Sequence, residues 1–231
     1  MVVTSHPWDI SPQEAFELQS ELAMRVERQL RLGPLRYVAG IDVSVRDEVA
    51  YAAVVVLDFS SLSPVDYTVA TRPVTFPYVP GLLAFREGPV VLDALERVGT
   101  LPDLLIFDGQ GVAHPRRLGI ASHIGVLVDM PSIGCAKSRL CGRHDEPGDE
   151  PGDYTFLVDR GEVIGVALRT RKGVKPVYVS IGHRVDLTTS IDYVLACCRG
   201  YRLPETTRWA HRVAGGEIPP TQAQQPTLFD L

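Results

Sequence analysis

No apolar run in this chain approaches the roughly 20 residues that a membrane-spanning helix needs; even the Val49 to Phe59 stretch is short and broken by Asp58. Met1 to Trp8 has no basic segment followed by an apolar core, so no secretory leader and a cytoplasmic location are expected. Cysteine is scarce: Cys135, Cys141, Cys197 and Cys198 form neither a CxxC pair nor a Cys/His comb with zinc spacing, which points to reduced thiols. Positive charge is in deficit, with 23 basic against 28 acidic side chains and a net charge of −5, so an indiscriminate cationic nucleic-acid binder is excluded. No GxSxG elbow occurs, which makes a serine hydrolase a poor reading. Solenoid repeats are absent too.

What is present fits one α/β domain: 231 residues, 45% hydrophobic and only 22% charged, enough apolar content to exclude wholesale disorder. Residues 1–218 are expected to form the domain and 219–231, rich in Gln and Pro, a flexible tail. A first helix is signalled by Ser11 as N-cap, Pro12 at the first helical position and Glu14 completing a capping box. Phe16, Leu18, Leu22, Val26 and Leu30 extend its apolar face until Gly33-Pro34. Three β-branched runs follow, Tyr37 to Val45, Val49 to Asp58 and Tyr67 to Phe76, and read as a meander. Leu82 to Val98 has helical periodicity and Leu104 to Phe107 is a short apolar strand. Ile120 to Met130 reads as a buried strand or a helix-to-strand step. The acidic stretch Arg143 to Asp153 reads as a solvated loop, and Tyr154 to Asp159 with Val163 to Leu168 as a hairpin. Val177 to Ile181 is a further strand and Thr189 to Cys198 a helix.

The informative feature is where carboxylates interrupt apolar segments. Asp42 lies inside Val38-Ala-Gly-Ile-Asp-Val-Ser-Val45, a strand with no turn chemistry around it, and an unpaired buried carboxylate costs several kcal/mol. Asp108 follows Leu104 to Phe107 at a strand end, outside which α/β proteins bind ligands; an Asp before Gly is also an ordinary turn residue. Glu87 sits near the start of the Leu82 to Val98 helix. Three such carboxylates, converging from two strands and a helix, suit a hard divalent cation. Lys137 and His114 lie in glycine-flanked loops, where an isolated Lys or His is usually solvated.

Together these segments resemble the endonuclease V family, deoxyinosine-directed nucleases with an RNase H-like fold. The resemblance rests on Ala39-Gly-Ile-Asp-Val-Ser44, Phe76-Pro-Tyr-Val-Pro-Gly-Leu-Leu-Ala-Phe-Arg-Glu87, Phe107-Asp-Gly-Gln-Gly-Val-Ala-His-Pro-Arg-Arg-Leu-Gly119 and Pro131-Ser-Ile-Gly-Cys-Ala-Lys137. It continues through Ile181-Gly-His-Arg184 and Tyr201-Arg-Leu-Pro-Glu-Thr-Thr-Arg208, in collinear order over about residues 5 to 213. It implies a mixed central β-sheet flanked by helices. It also implies hydrolysis of the second phosphodiester bond 3′ to a deaminated adenine, leaving a 3′-hydroxyl and a 5′-phosphate. By that resemblance Asp42, Glu87 and Asp108 hold Mg²⁺, which Mn²⁺ replaces, and His114 and Lys137 complete the catalytic set. Pro77-Tyr-Val-Pro80 resembles the family's strand-separating wedge, which implies that Tyr78 enters the base stack. Gly81, Leu83, Gly109, Gly134 and Leu140 surround the flipped hypoxanthine. His211 falls at a family position that often holds a functional histidine, but a surface-helix placement keeps it outside the catalytic set.

The partner expected from the resemblance is inosine-containing DNA or RNA. The competing readings are an RNA-preferring inosine ribonuclease, a non-catalytic RNase H-like repair adaptor and a structure-specific repair nuclease. A monomer is expected, with no membrane association. Gln225-Pro-Thr-Leu-Phe229 resembles the pentapeptide by which bacterial repair proteins dock on the sliding clamp, with Gln225, Leu228 and Phe229 as anchors. Charge is uneven along the chain: residues 1–108 carry 8 basic and 15 acidic side chains, residues 109–220 carry 15 and 12. A phosphate-binding face is therefore expected in the second half, from Arg116, Arg117, Lys137, Arg139, Arg184 and Arg208.

Overall fold

The computed structural model describes residues 2–221. The clamp-binding candidates Gln225, Leu228 and Phe229 lie outside them. Helix α1 (Pro12–Ala23) has the expected capping box: Glu14 N–H donates to Ser11 Oγ at 3.3 Å and Ser11 N–H to Glu14 Oε2 at 2.8 Å. It stops at Ala23, well before the expected Leu30, and Met24 is 82% exposed. The backbone beyond it pairs with a distant segment instead of the helix. Arg184 N–H donates to Glu27 O at 2.7 Å and Arg31 N–H to Arg184 O at 3.0 Å.

Strands β1 (Tyr37–Arg46), β2 (Val49–Asp58) and β3 (Pro64–Pro73) form the antiparallel meander, the third beginning and ending three residues earlier than its apolar pattern indicates. After α2 (Leu83–Arg97), strand β4 (Leu104–Phe107) returns parallel to β1. Ile120 to Met130 resolves into helix α3 (Ile120–Val128), and a short strand β5 (Ser132–Ala136) then runs parallel to β4. The hairpin β6 (Tyr154–Asp159) and β7 (Glu162–Leu168) joins through β8 (Val177–His183), antiparallel to β5. The result is one mixed eight-stranded sheet in the order β3-β2-β1-β4-β5-β8-β7-β6.

Side-chain alternation along the strands divides the core in two. Ala39, Ile41, Leu105 and Phe107 pack under α2 and α3. Val38, Leu104, Ile106, Ile133 and Cys135 face the other way, toward α4 (Leu187–Ala196) and α5 (Glu205–Ala214). Asp42 and Asp108, continuing β1 and β4 with even numbers, inherit the face on which α5 lies. The acidic stretch 143–153 is not simply solvated. Buried Arg169 donates to the carbonyls of Gly148 at 3.0 Å and Pro147 at 3.2 Å and to Glu146 at 2.7 Å, so a guanidinium organises the turn. All four cysteines are unpaired. No helix among the described residues is long and apolar enough to cross a membrane.

Candidate active site

Parallel pairing of β1 and β4 puts Ile41 opposite Phe107, and Asp108 N–H extends the ladder to Ile41 O at 2.9 Å. Asp42, midway along β1, and Asp108, just past the end of β4, therefore emerge side by side, where the strands' own hydrogen bonds fix their separation. Their side chains are only 12% and 8% exposed. Burial, and then the charge of Asp108, raise the Asp42 carboxyl above its ordinary range, with His211 and Lys137 opposing the shift. Lys137, just beyond β5, places Nζ on Asp108 Oδ2.

His211, which sequence reasoning set aside, belongs to the site. Its Nδ1 lies 2.8 Å from Asp42 Oδ2, and ligand atoms of Asp42, Asp108 and His211 lie within 4.8 Å of one another. It is on a surface helix, as expected, and 65% exposed; helix α5 crosses the sheet so closely that the surface there borders the candidate site. Gly40 allows this approach: a Cβ on it would stand 1.9 Å from the backbone oxygen of Thr206. Gly40→Ala is expected to lift α5 off β1, lower stability by about 1–3 kcal/mol in urea unfolding, and separate His211 from Asp42. An unchanged unfolding midpoint would contradict the close approach. The signal available in the sequence was a glycine inside a strand, two residues before the carboxylate.

Glu87, from the first turns of α2, approaches the pair from the opposite side of the sheet. It is pushed up to about 8 by burial first and the charge of Asp42 second. Asp42 and Asp108 with the His211 imidazole at the open edge make an oxygen-rich donor set that fits Mg²⁺ or Mn²⁺ better than a soft metal; Glu87 lies outside that 4.8 Å cluster and meets it only through the charges of Asp42 and Asp108.

A cleft of about 400 Å³ begins at these residues, with Asp108 and Lys137 in its wall. Tyr78, Pro80, Gly81, Leu83, Gly109, His114 and Leu140 also line it. Gly134 does not reach the cleft; it lies beneath, where a Cβ would meet Gly111 N at 2.2 Å, so it lets β5 pack under the glycine loop. Pro77 stands before the cleft wall, and Tyr78 between the two prolines is 74% exposed. His114 is buried with both ring nitrogens engaged. Nδ1 accepts the Arg116 N–H at 3.2 Å, so Nε2 carries the proton and donates to Gly81 O at 3.0 Å. Burial first and the Arg116 charge second push its pKa down to about 4, so the ring is neutral at neutral pH.

The phosphate-binding face differs from its sequence outline. Arg117 is paired with Asp159 at 2.9 Å and Glu162 at 2.6 Å, Arg184 with Asp129 at 2.8 Å, and Arg208 with Glu205. Arg116 is turned into the protein. Arg139 remains, and Lys137, though paired with Asp108, stays in the cleft wall; with Lys175, Arg202 and Glu146 they line a second hollow of about 510 Å³ that shares Lys137, Ser138 and Arg139 with the cleft. Arg202 donates to the carbonyls of Lys137, Lys175 and Pro176, partners that leave its positive charge uncancelled.

The same arrangement of chain recurs in known proteins. The Endonuclease V family model matches residues 17–212. An Endonuclease V of Roseiflexus sp. strain RS-1 is 58% identical over 214 residues, 92% of this chain and 96% of its own length. The crystal structure of the Endonuclease V of Streptomyces avermitilis superposes with a TM-score of 0.86 at 46% identity, covering 90% of this chain and 93% of that one. The Ciona intestinalis Endonuclease V, solved in complex with a 24mer DNA containing an inosine followed by a ribo-adenosine, aligns at a TM-score of 0.78 and 29% identity over 88% of this chain and 95% of its own. With its RNase H-like sheet, its paired carboxylates on β1 and beyond β4, and a family match over nearly the whole described chain, this protein belongs to the Endonuclease V family of nucleases.

Proposed function

We propose that this chain is a metal-dependent repair endonuclease that recognises a deaminated adenine and hydrolyses the second phosphodiester bond 3′ to it, leaving a 3′-hydroxyl and a 5′-phosphate. The observation that carries the reading is that one cleft joins an exposed aromatic wedge to a buried carboxylate pair, with Asp108 and Lys137 in its wall. Residues 1–218 act as one unit, as a monomer, and the unpaired thiols suit a cytoplasmic setting.

Asp42 and Asp108 would hold the divalent cation, with Glu87 and His211 as flanking donors. When bound, Mg²⁺ or Mn²⁺ supplies charge neutralisation at the phosphoryl group and a water acidic enough to attack at neutral pH. His211 Nδ1 fixes one oxygen of Asp42, and the Val43 N–H, 2.9 Å from Oδ1, fixes the other. Lys137, held by Asp108, presents a positive charge where a phosphate oxygen would lie. Tyr78, on a backbone stiffened by Pro77 and Pro80, enters the stack beside the lesion at small ordering cost. The displaced hypoxanthine fills the cleft, where main-chain groups of Gly81, Leu83, Gly109 and Leu140 face its edges. The strand beyond the cut follows the hollow of Arg139, Lys175 and Arg202.

The test is a nicking assay with inosine placed in single- and double-stranded DNA and RNA, in Mg²⁺ and in Mn²⁺. One nick, one nucleotide beyond the bond next to inosine, is expected, and none in EDTA. A complex that binds the inosine strand tightly in Mg²⁺ and leaves it uncut would replace this reading by that of a non-catalytic adaptor.

A further inference from the structure

Beside His114 at the cleft wall lie two polar side chains, buried Gln19 and partly buried Arg116, to which the chemistry of cleavage assigns no part. Gln19, on α1, is 1% exposed, an unusual position for a glutamine. Its amide nitrogen donates to Gly81 O at 2.9 Å and to Leu118 O at 3.1 Å, and its Oε1 accepts from Arg116 Nε at 2.6 Å. The other arm of Arg116 reaches Gly81 O at 3.0 Å, and His114 Nε2 lies 3.0 Å from the same oxygen. Three side chains thus point donors at one backbone carbonyl that has two lone pairs. The face of Phe16, also on α1, lies 4.3 Å below the Arg116 guanidinium.

Gly81 is the residue that leaves the Pro77 to Pro80 segment and enters α2. Its φ of +82° turns its carbonyl into the protein, and a Cβ there would lie 2.8 Å from Arg116 Nη2, so only glycine meets the converging donors. The far end of the segment has its own tie, Arg86 Nη1 donating to Phe76 O at 3.1 Å. Between the two ties Tyr78 is exposed and has no comparable support.

We infer that Gln19 and Arg116, together with His114, are positioning residues that clamp the Gly81 carbonyl and so set where the Tyr78 segment and the cleft mouth stand before a strand arrives. The clamp rests on the proposed wedge function for its consequence but not for its existence. Gln19, buried with its amide nitrogen and oxygen all paired, holds one geometry because every alternative leaves a polar group unpaired. The clamp also accounts for a cation turned inward from the cleft, since Arg116 has no carboxylate among its partners in the described residues. The reacting atoms are untouched, so lesion binding is the step that suffers when the clamp is cut.

Two readouts test this on the full chain. In the substrate-free protein, Gln19→Leu should speed hydrogen exchange of the amides of residues 78–83 about tenfold, the loss expected from one buried hydrogen bond. On inosine duplex the same variant should raise KM by about tenfold and leave kcat within about twofold, whereas a loss of folded enzyme would lower kcat and spare KM. Arg116→Lys keeps the charge but not the fork and should fail to rescue. The double variant should be no worse than the poorer single one, since both cut the same clamp. Gln19→Glu, which keeps the bond to Arg116 Nε and loses those to the two carbonyls, replaces the leucine variant if that one does not fold. Unchanged exchange at 78–83, an effect confined to kcat, or additive losses would each overturn the clamp. A wild-type chain that ignores inosine would instead overturn the proposed function, and the exchange measurement would still decide the clamp.

Discussion

Asp108→Ala and Asp42→Ala are each expected to lower nicking of an inosine duplex in Mg²⁺ by about a thousandfold or more, a loss of roughly 4 kcal/mol of transition-state stabilisation. The size follows from what each residue holds. Asp108 is 8% exposed, anchors Lys137 and faces the cleft, so its removal would take away a proposed metal donor and free Lys137, the cation proposed to meet the scissile phosphate. Asp42 is flanked by Val43 N–H and His211, and its loss leaves His211 with nothing to orient. Neither change should unfold the chain. Each removes a desolvated negative charge from beside another, and the remaining strand hydrogen bonds are main-chain. A thermal midpoint as high as that of the parent, beside lost activity, is the expected pair of results. Activity within tenfold of the parent in either variant would place the metal elsewhere.

Much of this site could be read from the linear chain because its signals were violations. A carboxylate inside β1 has no structural use, whereas Pro77-Tyr-Val-Pro80 taken alone reads as a proline-rich turn with a packed tyrosine, and only the family resemblance marks it as a wedge. The structure puts Tyr78 and Pro80 in the wall of the cleft and Asp42 beside Asp108 at its edge. The meander and the short strand β4 were equally legible, since β-branched alternation and burial agree there. What escaped was information held at a distance. The end of α1 is decided by the pairing of residues 27–31 with Arg184, which leaves no local mark, and the expected helix ran too far. Helix α5 brings His211 to Asp42 across a separation of 169 residues, permitted by the missing side chain at Gly40. Arg116, Arg117, Arg184 and Arg208 looked like a phosphate face because composition counts charges and not their partners; three of them are ion-paired and the fourth serves Gly81.

Glu87→Gln is expected to stabilise the metal-free protein at pH 8 while impairing nicking. The folded chain holds Glu87 at about 8 against an ordinary value of 4.5, so between those values it binds more protons than the unfolded chain. Stability contributed by the protonated carboxyl is therefore complete below about pH 4.5, falls as pH rises, and is lost once pH passes about 8. Two buried histidines act in the opposite sense. His114 and His123 are pushed down to about 4 and about 3, so their contributions rise with pH up to the ordinary histidine value of 6.5 and are constant above it. The window between pH 6.5 and 8 thus isolates the acidic cluster. Urea unfolding in EDTA across that window should show wild-type stability declining and Glu87→Gln nearly flat. The two should differ by on the order of a few kcal/mol at pH 8. Added Mg²⁺ should raise the wild type more at pH 8 than at pH 6.5, because the ionised cluster is the form that a cation satisfies. Equal slopes for the two proteins would mean that Glu87 ionises freely in the folded chain. A declining wild type beside a flat variant would show that the acidic site is kept at a cost in stability, which the cation offsets when it binds.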